Sequence, residues 1–163
     1  MTEQKDYKYY TDLGISQTNA KDYADAINSF DKAIELNPDY ALAYFSKAIV
    51  FHMQYELQAA FENYTKAIEK NPEMVDAYYN RAQVILSYEN PDEGELISAL
   101  KDLKKATDLR ADFVDAHYYS AVVKKKLKDY KGAVESLDRA LEFEPQGVYS
   151  KALKKLILQK YLK

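Results

Sequence analysis

Ala33-Ile34-Glu35-Leu36-Asn37-Pro38 returns as Ala67-Ile68-Glu69-Lys70-Asn71-Pro72, and again as Ala140-Leu141-Glu142-Phe143-Glu144-Pro145. A fourth copy, Ala106-Thr107-Asp108-Leu109-Arg110-Ala111, carries alanine where the others have proline. Pro38 and Pro72 are 34 residues apart, as are Ala111 and Pro145. From Pro72 to Ala111 the distance is 39, the same period with five residues inserted. A fixed period of roughly 20–50 residues is the mark of a stacked repeat architecture.

Outward from these anchors the chain divides into repeats 7–40, 41–74, 75–113 and 114–147, followed by 148–163. Each repeat holds two helical patterns, A and B, with apolar residues at spacings of three and four. The first aromatic slot of helix A holds Tyr10, Tyr44, Tyr78 and His117. The small slot four residues on holds Gly14, Ala48, Ala82 and Ala121. In helix B the first alanine slot is Ala26, Ala60, Ala99 and Ala133. The large slot is Phe30, Tyr64, Leu103 and Leu137, and the second alanine slot is Ala33, Ala67, Ala106 and Ala140. Small residues let two helix axes approach and bulky ones fill the space beside them. Proline after helix B ends that helix, and Asn-Pro favours a turn. A single helix pair cannot bury its apolar face, whereas stacked neighbours can.

Tyr10, Leu13, Gly14, Ala26, Phe30, Ala33 and Pro38 resemble the tetratricopeptide signature, and the resemblance runs from 7 to 147. It implies an all-α fold: an α-solenoid of four helix-turn-helix repeats with a C-terminal capping helix, one domain over 1–163. Two slots depart from the family pattern. The leucine slot of helix A holds Leu13, then Lys47, Arg81 and Ser120, and the later tyrosine slot holds Gln17, Phe51, Ile85 and Lys124. On 148–163 the stripe Tyr149, Leu153, Leu156, Ile157 and Tyr161 is expected to cover repeat 4, with Leu158 and Leu162 on another face. The insertion lies between the helices of repeat 3, around 89–95. There Asn90, Pro91 and Glu93 read as N-cap, first helical residue and capping-box partner of a helix running to about Leu109.

In arrays of this family the A helices line a concave groove. The resemblance therefore implies a peptide-binding surface formed by Phe45, Ile49, Met53, Tyr79, Asn80, Gln83, Tyr118, Tyr119, Val122 and Lys125. Lys8, Thr11, Asp12, Ile15, Ser46 and His52 fall in the same set of slots. Phe45, Tyr79 and Tyr118 share one slot in three successive repeats, and rings in a groove anchor a partner. Some relatives clamp a terminal carboxylate with lysines, asparagines and an arginine. The corresponding slots here are Phe45, Ile49, Asn80, Asp115 and Tyr119, of which only Asn80 matches. The expected partner is therefore an apolar or aromatic-bearing protein segment, not a chaperone-type carboxylate.

The composition bounds the alternatives. Without cysteine the chain has no thiolate chemistry, disulfide or cysteine-bound zinc. With no Gly-rich phosphate loop and only His52 as an acid-base candidate in the groove, no enzyme, cofactor or metal is expected. A net charge of −3 gives no drive toward nucleic acid. Residues 148–163 carry five lysines and no acid, which leaves 18 basic against 26 acidic residues elsewhere. These lysines spread around the helix, so no membrane contact is expected. A polar start, Met1 to Asp6, and the lack of any long apolar run point to a cytoplasmic protein. The alternative reading is a self-associating module that pairs through Leu158 and Leu162.

Overall fold

The computed structural model describes residues 6–162, and these form an all-α repeat fold. The chain divides into two compact units, Met1–Val84 and Ile85–Lys163.

The first unit contains α1 (Tyr7–Asn19), α2 (Tyr23–Leu36), α3 (Ala41–Met53), α4 (Leu57–Lys70) and most of α5 (Val75–Leu86). α1 pairs with α2 and α3 with α4, and α2 packs on α3. Asp6 caps α1 by accepting the Tyr9 N–H at 2.9 Å. Ala26, Phe30, Ala33, Ala48, Ala60 and Ala67 are fully buried, and Tyr64 is 1% exposed. The repeating alanine and large slots thus form the core as the sequence implies. Gly14 is required by Phe30, because a Cβ at Gly14 would stand 2.6 Å from the Phe30 ring.

The second unit contains α6 (Glu93–Leu109), α7 (Val114–Lys126), α8 (Tyr130–Phe143) and α9 (Val148–Tyr161). α7 packs on α6 and on α8, and α9 packs on α8. Ala99, Leu103, Ala106, Ala121, Ala133 and Leu137 are fully buried, in the slots of their counterparts in the first unit.

Two backbone devices recur. Residues Asn37, Asn71, Arg110 and Glu144 close the B helices in the same extended conformation, with φ of −145°, −142°, −138° and −128°. A following proline disfavours the helical region, which explains three of them. Arg110 keeps the geometry before Ala111, and its guanidinium lies 4.0 Å from the centre of the Phe113 ring. Between helices A and B, Lys21, Tyr55 and Lys128 occupy one slot at φ 66°, 62° and 63°. The next N–H reaches back five residues each time, Asp22 to the Gln17 carbonyl, Glu56 to that of Phe51 and Asp129 to that of Lys124. This is a Schellman closure without its usual glycine.

Two expectations are corrected. The capping box of α6 is Asp92 and Glu95, two residues later than Asn90 and Glu93. Asp92 accepts the Glu95 N–H and the Glu95 carboxylate accepts the Asp92 N–H, both at 2.8 Å. Asp92 offers the same pair of bonds as the expected box and starts the helix past Pro91. On α9 the covering face is Ser150, Leu153, Ile157 and Tyr161, with Ile157 fully buried and Tyr161 stacked on Tyr130 at 4.3 Å. Tyr149 and Leu156 lie outside it, 79% and 45% exposed. Leu162 is half-buried and packs on the same cluster as Leu153, so it does not share a free face with Leu158.

Candidate protein-binding faces

In the first unit the face expected to bind is carried by α3 and α5. Phe45 is half-buried, with its ring 5.7 Å from Tyr64 and its edge against the cluster of Tyr44, Ala67 and Ala77. Tyr79, Asn80, Gln83 and Ile49 are likewise half-buried, while Met53 is 56% exposed. Asn80 turns its amide back on its own helix, donating to the Asp76 carbonyl at 2.7 Å. His52 sets its ring edge-on to Tyr64 at 6.4 Å, and burial lowers its pKa because the imidazolium would lose water. Thr11 and Ser46, in slots expected to face the groove, are buried. Thr11 spends its hydroxyl on the Tyr7 carbonyl at 2.8 Å.

In the second unit the corresponding face belongs to α7. Tyr118 and Tyr119 meet edge to face at 5.3 Å, and Tyr118 also leans on the core cluster under α9. Both line a cavity of about 380 Å³ that Asp115, Gln146 and Tyr149 complete. Burial raises the Tyr118 phenol pKa, and the neighbouring Tyr119 and Tyr149 add to the effect. Val122 and Lys125 are half-buried on the same helix. Tyr149 was not expected here. It stands in the first turn of α9 and lines the same cavity as Tyr118 and Tyr119, and no helical periodicity carries that signal.

A second cavity of the second unit, about 660 Å³, lies among α6, α7 and α8. Its α7 wall is His117, Ser120 and Lys124. These are the three slots in which repeat 4 departs most from the family pattern, at spacings of three and four on one helical face.

Comparison with known proteins bears on the repeats and the fold. A family model described as TPR repeat matches residues 19–54, and one described as tetratricopeptide repeat matches 114–146. Both matched stretches are tetratricopeptide repeats, and the chain is a repeat protein of that kind. An uncharacterized protein of Methanocaldococcus jannaschii is 41% identical over 49 residues, which is 30% of this chain and 57% of that protein. The matched stretch thus spans little more than half of that relative. The crystal structure of MamA superposes with a TM-score of 0.86 at 17% identity, over 95% of this chain and 82% of that one. The first tetratricopeptide domain of Spaghetti (RPAP3), bound to an HSP90 peptide, superposes with a TM-score of 0.68 at 21% identity, over 76% of this chain and 94% of that one. At these identities the likeness is one of fold. Among the described residues of this tetratricopeptide repeat protein, no helix is long and apolar enough to cross a membrane.

Proposed function

We propose that the protein is a non-catalytic scaffold whose A helices hold apolar or aromatic-bearing segments of other proteins. The observation that carries this reading is the recurrence of half-exposed rings in one A-helix slot, Phe45 and Tyr79 in the first unit and Tyr118 in the second. Each ring still offers apolar area whose covering contributes roughly 1 kcal/mol, since most of it is already buried. Several such anchors, less the entropy of ordering a peptide, give an affinity on the order of micromolar. Ile49, Met53 and Gln83 flank the rings of the first unit, and Tyr119, Val122 and Lys125 that of the second. The same fold holds an HSP90 peptide in the Spaghetti domain. Here the slots that would clamp a terminal carboxylate hold Phe45, Ile49, Asp115 and Tyr119, so a cationic clamp is not the basis of recognition.

The alternative, self-association through α9, has less support. Leu158 is 43% exposed, but Lys151, Lys154 and Lys155 surround it, and a twofold contact would bring these like charges together.

Pull-down from native lysate by the wild-type chain, by Phe45→Ala with Tyr79→Ala, and by Tyr118→Ala tests the reading. Partners should be lost from the first pair, from Tyr118→Ala, or from both. If the triple variant, folded by circular dichroism, captures the same partners in the same amounts, the reading is wrong.

A further inference from the structure

The cavity among α6, α7 and α8 lies on the opposite side of α7 from Tyr118 and Tyr119, and nothing in the family assignment explains it. It exists because repeat 4 gives up three side chains. Where α3 presents Tyr44, Lys47 and Phe51, α7 presents His117, Ser120 and Lys124. Tyr44 reaches the Pro38 carbonyl at 3.2 Å, and His117 makes the matching bond from Nε2 to the Ala111 carbonyl at 2.8 Å. Because a carbonyl only accepts, Nε2 carries the proton. The shorter imidazole keeps the anchor and leaves space. Ser120 ends on its own helix, donating to the Ala116 carbonyl at 2.7 Å, whereas Lys47 crosses to Asp31 at 2.6 Å.

The lining combines apolar side chains with cations. Ile97 and Phe143 remain 41% and 46% exposed, and Leu100 lines the same cavity. Lys101, Lys104, Lys124 and Arg139 face Asp108 and Glu135, an excess of two positive charges on a chain whose net charge is −3. Asp108 is held by Lys104 at 2.6 Å, and Arg139 reaches Glu142 at 2.7 Å. Lys124 is half-buried, and the two groups it reaches, the Gly132 carbonyl at 3.2 Å and the Ser136 hydroxyl at 2.9 Å, are both neutral. An ammonium so placed gains most from an incoming carboxylate, since a charge-assisted bond is about twice as strong as a neutral one. The volume falls in the range of roughly 300–1,000 Å³ typical of ligand sites.

We propose that this cavity is a second recognition site, for a short acidic peptide segment. An apolar side chain of that segment lies against Phe143, Ile97 and Leu100, and a neighbouring carboxylate reaches Lys124 and Arg139. The site is independent of the A-helix rings.

The test uses the full chain and two fluorescein-labelled peptides, Glu-Leu-Phe-Glu and Gln-Leu-Phe-Gln, each flanked by glycines. Anisotropy should show the acidic peptide binding at least about tenfold more tightly, with the difference shrinking as salt is raised. Amide shifts in ¹⁵N spectra should cluster on α6, α7 and α8 around Ser120. The variant His117→Tyr with Ser120→Leu restores the residues of repeat 1 and fills the cavity. It should lose binding of the acidic peptide at least about tenfold with no fall in Tm. Lys124→Met should abolish the preference for the acidic peptide. Equal affinity for the two peptides, unchanged binding by the filled variant, or shifts centred on Tyr118 and Tyr119 would each overturn the proposal. So would binding of sodium dodecanoate in the cavity with no binding of either peptide.

Discussion

The three helices α2, α3 and α4 and the three helices α6, α7 and α8 are built on the same slots and end with opposite surfaces. In both, alanines and one large residue per B helix make a sealed core. Above that core the first set closes itself. Lys47 spans from α3 to Asp31 on α2 with its side chain 16% exposed, and its ammonium stands 5.5 Å over Phe51. In the second set the counterpart of Asp31 is Lys104, which turns to Asp108 on its own helix, and the counterpart of Lys47 is Ser120. The loss of that ion pair, together with the changes at His117 and Lys124, goes with an open cavity. The slots that hold a hairpin together are thus separable from those that decide what its surface does.

The largest effect should come from the shared part. Tyr64→Ala removes a side chain that is 1% exposed, and urea unfolding should show a loss of about 3–5 kcal/mol. Lys47→Ser, which imports the residue of repeat 4 into repeat 2, sharpens the contrast. It should lose about 1 kcal/mol, because Asp31 is 46% exposed and solvent screens much of the pair. If Lys47→Ser changes nothing, the closure of the first set rests on the aromatic residues alone. Glycine at Lys21, Tyr55 or Lys128 relieves a left-handed backbone in either unit. Each should gain about 0.5–1 kcal/mol in denaturant titration, less where the side chain packs.

The smallest effect belongs to pH. Burial keeps His52 neutral in the folded chain at pH values where the unfolded chain, with an ordinary value of 6.5, already takes up a proton. The unfolded state then binds more protons, so stability should decline as pH falls from about 6.5 toward the lowered value of His52. His52→Gln should flatten that part of the profile. A slope unaffected by the substitution would assign it to other groups.

The repeat, the helix pairs and the core were legible because alanine, proline and large residues recur at a fixed period. The early start of α6 was legible too, since the insertion carries capping residues, although two candidate boxes overlap and backbone geometry chose Asp92 over Asn90. The rotation of α9 was legible only in part. The expected stripe shares Leu153, Ile157 and Tyr161 with the observed face, and packing on α8 decides that Ser150 joins them in place of Tyr149 and Leu156. Of the A-helix face, the slots could be read but not their depth, and small side chains such as Thr11 and Ser46 sank where large ones stayed half out. The departures at Ser120 and Lys124 were visible as irregularities. That they and His117 open onto one space depends on three helices at once, which no single period encodes.

Tyr64 has a further use. The chain has 16 tyrosines and no tryptophan, so its near-ultraviolet signal is almost entirely phenolic. Burial holds the Tyr64 hydroxyl far above its ordinary value of 10.0. In a jump to strong base Tyr64 will therefore become tyrosinate only when the first unit opens, a step slower than proton loss from a ring already in water. The delayed fraction of the absorbance change is therefore a clock for that opening, built into the protein without a label.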